Sequence, residues 1–241
     1  MALSNASASI SLDSDTYDPE QVKLMEEVCI VIDENDKPLG SASKKTCHLM
    51  ENINNNLLHR AFSVFLFDEE NRLLLQQRAD EKITFPGMWT NTCCSHPLSI
   101  PSETGSDLPS AVLGVKRAAI RKLDQELGIP ASQVPIDKFT YLTRIHYVAP
   151  SDGLWGEHEI DYILFIRVPV THAANPNEIK DVKYVSREEM QSMFVDPAYE
   201  GKFTPWFKLI CETFLFKWWK ELEEKDDLAA VKDEENIHKL A

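Results

Sequence analysis

Alternating apolar and polar positions mark the first elements of the chain. Glu27–Asp33 carries Val28, Ile30 and Ile32 at every second place, and the polar run Asp33-Glu34-Asn35-Asp36 behind it predicts a turn. His59–Phe67 and Arg72–Gln76 read as two more strands joined by the acidic stretch Asp68–Asn71, a predicted hairpin. Between Ile83 and Pro101 the periodicity vanishes. Gly, Pro, Trp, Asn, Cys, Ser and His crowd together there, which predicts an ordered loop instead of a regular element. Helical spacing returns with Val112, Val115, Ala119, Ile120, Leu123 and Leu127 on one stripe, with Ser110 as N-cap and Gly128 and Pro130 as the stop. Strands are predicted again near Phe139–Val148, Glu157–Val168 and Val182–Val185, followed by a short helix at Arg187–Phe194. A closing helix begins at Thr204-Pro205 and carries Trp206, Phe207, Ile210, Phe214, Trp218 and Leu222. Strands interleaved with few helices predict an α/β (α+β) architecture, a mixed β-sheet packed between α-helices.

Composition narrows the picture. With 241 residues, 43% hydrophobic and no Gly/Ser- or Pro-rich linker in the middle, one elaborated domain is expected over residues 25–225. Residues 1–24 read as a disordered or variable extension, the first nineteen or so being polar and poor in large apolar groups, and residues 226–241 as an acidic tail. The net charge of −14 disfavours nucleic-acid binding, and the acids from Glu221 to Glu235 read as a solvated helix face. Five cysteines at no scaffold spacing fit a reducing compartment. No apolar run is long enough to span a membrane, the first residues lack the features of a signal or transit peptide, and Lys239-Leu240-Ala241 is not the common peroxisomal tripeptide. A soluble cytoplasmic protein is expected, monomer or weak dimer, with a peroxisomal or nuclear pool left open.

The candidate chemistry is concentrated in three places. In Trp155-Gly156-Glu157-His158-Glu159-Ile160-Asp161-Tyr162, a strand would point Glu157, Glu159 and Asp161 to one side, and carboxylates crowded beside an apolar run need a proton or a cation. The bland alternative is a solvated edge strand. His48, His59 and His96 supply imidazoles that, with those carboxylates, suit a divalent ion, although singly each is more often structural, as His146, His158, His172 and His238 are taken to be. The loop Trp89-Thr90-Asn91-Thr92-Cys93-Cys94-Ser95-His96-Pro97 sets a thiol two residues before a candidate ligand, and no second Cys pair exists for a zinc knuckle. Finally, Arg121-Lys122-Leu123-Asp124-Gln125-Glu126-Leu127-Gly128 has the outline of a Nudix helix. Lys122 and Gln125 stand where two of its glutamates would be, so only Glu126 remains to hold a bridging ion, too few acids for hydrolysis.

Taken together, Leu58-His59-Arg60-Ala61-Phe62-Ser63, the Phe85–Pro97 loop, Gln125-Glu126-Leu127-Gly128, Trp155–Glu159 and Thr204-Pro205-Trp206-Phe207 resemble the type I isopentenyl-diphosphate isomerases of the Nudix fold family, in their eukaryotic form. The resemblance covers roughly residues 25 to 225. It implies one metal site of His48, His59, His96, Glu157 and Glu159 for Zn²⁺, Mn²⁺ or Mg²⁺, and a Mg²⁺ that bridges Glu126 to a diphosphate. It implies Cys94, not Cys93, as catalytic thiol and Glu159 as catalytic carboxylate. Lys44, Arg78, Lys82 and Ser95 match phosphate-gripping positions. The implied reaction converts isopentenyl diphosphate to dimethylallyl diphosphate through a tertiary carbocation, in isoprenoid and sterol precursor synthesis. We assign Tyr147 with Glu159 as the protonating pair, Cys94 thiolate as base, and Trp206 as an aromatic face for the cation. Lys122, where some members have Arg, keeps charge but loses bidentate geometry. A Nudix pyrophosphohydrolase and a non-catalytic diphosphate-binding module are the competing readings.

Overall fold

The computed structural model describes Leu12 and residues 16–240, so the disorder expected of the first nineteen or so residues falls mostly outside the described residues. Its centre is β3 (His59–Phe67) lying parallel to β8 (Gly156–Arg167), in register from His59↔Glu159 to Phe67↔Arg167. Parallel pairs are covered on both faces, and β3 is buried at every position, which is why its sequence runs His-Arg-Ala-Phe-Ser-Val-Phe-Leu-Phe with little exposed polarity. β1 (Val28–Ile32) and β2 (Pro38–Ser43) extend the sheet beyond β3; β7 (Thr140–Pro150) flanks β8 antiparallel on the other side.

Two helical layers enclose the sheet. On one face Phe62, Val64, Leu66, Ile160, Tyr162 and Leu164 meet Val115, Ala119 and Leu123 of α4 (Leu108–Leu127). On the other, Phe65, Phe67, Ile163 and Phe165 meet the closing helix, built of α6 (Pro205–Ile210), a π-type stretch Cys211–Leu215 and α7 (Phe216–Lys225). Each large side chain so buried stabilises by about 1.5–3 kcal/mol, so the two layers act as one clamp on the sheet. The expected mixed sheet between helices is the observed one.

Several local expectations change. The hairpin of β3 and β4 (Leu73–Arg78) pairs only at Phe67↔Leu73. Thr92 wedges between the two strands beyond that point: its Oγ1 accepts from Leu66 N at 2.9 Å and donates to Leu74 O at 2.6 Å. β4 therefore turns away to β9 (Ile179–Val185), while β3 takes a new partner. That partner lies in the stretch read as loop, which contains the short strands β5 (Trp89–Thr90) and β6 (Cys93–Ser95). Strands of two or three residues have no periodicity to display. The α4 N-cap is Asp107, not Ser110; Ser110 sits at the third helical position and completes a reciprocal capping box. Gly128 ends α4 with φ 62°, and a Cβ there would lie 2.6 Å from Ala173 O, so the turn requires glycine.

Both ends of the described chain carry regular structure. The acid-rich helix stops at Lys225 with Asp226 in left-handed geometry, and Ile237–Lys239 returns as β10, parallel to β7. The chain from 226 is thus partly built into the sheet edge. At the other end α1 (Pro19–Leu24) is capped by Asp18 and packs Gln21 against Asn177 and Glu178. A buried knot ties the sheet to the β1–β2 turn, where Asp36 holds Arg60 at 2.8 Å, Arg144 at 3.2 Å and the Tyr162 hydroxyl.

Candidate active site

Sheet register assembles the site. His59 opens β3, directly beside Glu159 of β8, and the alternation along β8 turns Glu157, Glu159 and Asp161 to one face, as expected. β8 is an interior strand, which removes the solvated-edge reading. α2 (Lys44–His48), capped by Ser43, ends by delivering His48, and His96 follows β6. The five groups expected at one metal come together, with ligand atoms all within 4.8 Å of one another. The three imidazole rings are mutually 4.9 Å apart between centroids.

Fit to an ion can be judged from their unpaired atoms. His48 Nδ1 lies 2.6 Å from Lys44 O, which orients Nε2 inward. His48 Nε2 stands 2.8 Å from Glu157 Oε2 and His59 Nε2 3.2 Å from Glu159 Oε1, yet both nitrogens and Glu157 Oε2 are buried without a hydrogen-bond partner. Buried polar atoms so converged satisfy one another poorly and a central cation well. Their electrostatics agree. Burial lowers His59, but Cys47, Glu159 and Glu157 raise it further, to about 9; burial and the charges of His48 and His59 drive His96 well below its usual value. Nitrogen and carboxylate donors in this number suit a divalent ion.

Beside this cluster Glu159 Oε2 accepts the Tyr147 hydroxyl at 2.5 Å, while Oε1 meets His96 Nε2 at 2.7 Å. Burial raises Glu159, but the hydrogen bond and charge of His59, the Tyr147 hydroxyl and the charge of His48 outweigh it, so the carboxylate is held below its usual range. Burial and the neighbouring acids push Tyr147 well up, so the phenol keeps its proton.

Cys94 lines the same pocket as Glu159 and Tyr147. Sequence reasoning quoted Thr90 and Asn91 without giving them a role. Yet Asn91 Oδ1 gathers Cys94 Sγ at 3.5 Å, Thr90 Oγ1 at 3.0 Å and Trp206 Nε1 at 3.3 Å, and its Nδ2 is anchored on Val64 O and Cys93 O. Thr204, the N-cap of α6, donates to Thr90 Oγ1 at 2.9 Å. The only signal was the density of small polar residues in a stretch that had to be buried. Burial pushes the Cys94 thiol up to about 12, against the charge of Arg78 and the Thr90 hydrogen bond. Cys93 points to the other face, packed against α4 with its Sγ 3.6 Å from Glu126 Oε2.

Lys44, Arg78, Lys82, Ser95, Glu126 and Trp206 also line this pocket; of the residues expected at the site only His59 does not, lying fully buried behind it in the His/Glu cluster. Arg78 is partly committed, its Nε and Nη2 donating to Thr84 O, and its guanidinium stands 5.8 Å from the Trp206 ring centroid. Lys122 does not line the pocket; it is buried against Glu126 at 3.1 Å. Three clustered imidazoles and two carboxylates beside a cleft lined by three cations and a thiol can hold a metal and an anion, and can give and take protons.

Comparison with known proteins agrees. Residues 57–207 match the NUDIX domain. The chain is 65% identical over 232 residues to the isopentenyl-diphosphate delta-isomerase idi1 of Aspergillus fumigatus, covering 93% of this chain and 82% of that one. It is 67% identical over 207 residues to the isopentenyl-diphosphate delta-isomerase of Schizosaccharomyces pombe, covering 86% and 90%. Among solved structures, DR0079 of Deinococcus radiodurans shares the fold at TM-score 0.50 and 14% identity, over 78% of this chain and all of that one.

Proposed function

The chain belongs to the isopentenyl-diphosphate delta-isomerases, within the NUDIX domain family, and on that premise we infer that it converts isopentenyl diphosphate to dimethylallyl diphosphate. One observation carries the reading: a half-buried thiol and a phenol-bonded carboxylate share a pocket with three basic side chains. A hydrolase or a passive binder has no use for both.

The alkene must gain a proton at its terminal carbon and lose one from the carbon beyond the tertiary centre. Tyr147 with Glu159 delivers the first, and Cys94 as thiolate removes the second, through a tertiary carbocation. After a forward turnover the sulfur would carry a proton and the carboxylate none. Each new forward cycle therefore includes return of a proton from Cys94 to the Glu159 side by way of solvent, and the reverse reaction starts without it. Trp206, fixed by its hydrogen bond to Asn91, offers its face to the cation, worth roughly 2 kcal/mol where water is excluded. Exclusion also protects the cation from capture by water.

Lys44, Arg78, Lys82 and Ser95 bind the diphosphate. His48, His59, His96, Glu157 and Glu159 would hold one divalent ion, Zn²⁺, Mn²⁺ or Mg²⁺, and Glu126 would share a Mg²⁺ with the diphosphate. Bound there, the ions would supply positive charge to hold the diphosphate and to fix the Glu159 carboxylate. No helix among the described residues is long and apolar enough to cross a membrane. A monomer or weak dimer in the cytoplasm, serving sterol precursor synthesis, completes the proposal, and sedimentation velocity tests its oligomeric part.

The test is conversion of isopentenyl diphosphate, with Mg²⁺ present, into an allylic diphosphate that hydrolyses in cold acid. Release of AMP from ADP-ribose, with no acid-labile product, would instead establish a pyrophosphohydrolase.

A further inference from the structure

Lys82 is held by a chain of contacts that leads out of the pocket. Its Nζ lies 2.6 Å from Oε2 of Glu178, a carboxylate only 2% exposed. The second oxygen of Glu178, Oε1, accepts from Gln21 Nε2 of α1 at 2.8 Å. Gln21 is fixed in turn by Asn177 Oδ1 at 2.7 Å, and Asn177 Nδ2 donates to Asp18, the cap of α1. The Glu178 backbone is pinned too, its carbonyl accepting Ala79 N at 3.0 Å just past β4. Both carboxylate oxygens are thus taken up, one by the lysine and one by the amide that orients it.

Such a chain matters because lysine is a point charge on a flexible stem. The ammonium also stands in an unfavourable field. It faces Glu178 from the start of β9, Lys44 from α2, Arg78 from β4 and Glu126 from α4, and burial brings it down to about 8. Three cations crowded for a diphosphate repel one another until it arrives, and Glu178 is the buried acid in contact with one of them.

We propose that Glu178, oriented by Gln21, is a positioning residue that keeps the Lys82 ammonium charged and aimed at the diphosphate. The inference rests on the assignment of Lys82 to diphosphate binding. It gives α1, outside the expected domain, a part in substrate affinity.

The experiment is a double-mutant cycle in the full chain with isopentenyl diphosphate and Mg²⁺. Glu178→Gln should raise KM about tenfold with kcat within about twofold, because binding shared by ground and transition states is lost. Its alkaline loss of kcat/KM should begin at lower pH, since Lys82 without its acid gives up its proton sooner. Gln21→Ala should do the same to a smaller degree, about threefold in KM, and serves alone should Glu178→Gln not fold. The inhibition constant of inorganic diphosphate should move with KM. In a Lys82→Met background neither substitution should raise KM further. If KM rises as much there as in the wild-type background, the positioning role is overturned while Lys82 keeps its assignment. If Lys82→Met alone leaves KM unchanged, that assignment falls and this inference falls with it.

Discussion

Tyr147→Phe removes one oxygen and nothing else from the pocket, which makes its consequences calculable. The lost group is the hydroxyl that donates to Glu159 Oε2 at 2.5 Å. A hydrogen bond to a charged partner contributes about 1.5–3 kcal/mol to stability, set against a folding margin of roughly 5–15 kcal/mol. The variant should therefore fold, with its unfolding free energy from urea titration lowered by no more than that amount. The effect on rate is larger. A positioned general acid typically contributes about 10²–10⁴-fold, or roughly 3–5 kcal/mol of barrier. The reasoning predicts a fall in kcat of that size with KM within about threefold, since Lys44, Arg78 and Lys82 remain to grip the diphosphate. Steady-state kinetics on isopentenyl diphosphate, paired with urea titrations, separates the two effects. A variant that turns over within threefold of wild type would show that the phenol carries no proton in the reaction.

Other substitutions divide the site by role. Cys94→Ala should abolish turnover yet retain the bound metal, whereas Glu159→Gln should lose both, as metal analysis of the dialysed proteins would reveal. Asn91→Ala should lower kcat at least tenfold, because Cys94 and Trp206 share its Oδ1; unchanged kinetics would make that hub purely structural. Asp36→Ala leaves Arg60 and Arg144, neither of which lines the pocket, without their buried counter-charge and should cost about 3–5 kcal/mol by urea unfolding. A loss below 1 kcal/mol would mean that water replaces the carboxylate.

What the sequence disclosed depended on how local each signal was. His59–Phe67 announced its strand because a strand buried on both faces is rich in apolar residues, here Ala61, Phe62 and Val64–Phe67, with polar side chains only at His59, Arg60 and Ser63. The alternation Glu157, Glu159, Asp161 was legible for the same reason, period two being a property of neighbours. The site residues were readable through resemblance, since nothing in the spacing of His48, His59 and His96 predicts that their rings stand 4.9 Å apart. Connections between distant residues were not readable at all. Gln21 meets Glu178 across 157 positions, and Asp36 meets Tyr162 across 126. The Thr92 wedge that splits the expected hairpin is a side chain doing the work of a backbone partner, which no hydropathy pattern encodes. β10 was not legible because acids look the same on a solvated helix as on the turn that leads into a three-residue strand.

Proton NMR of isopentenyl diphosphate incubated with the protein and Mg²⁺ in D₂O bears most directly on the proton transfers proposed for Cys94 and the Glu159–Tyr147 pair. The account predicts dimethylallyl diphosphate with deuterium in a methyl group, the mark of a solvent proton delivered to the terminal carbon. Recovery of unlabelled substrate with its vinyl signals intact, or release of phosphate without allylic product, would contradict it.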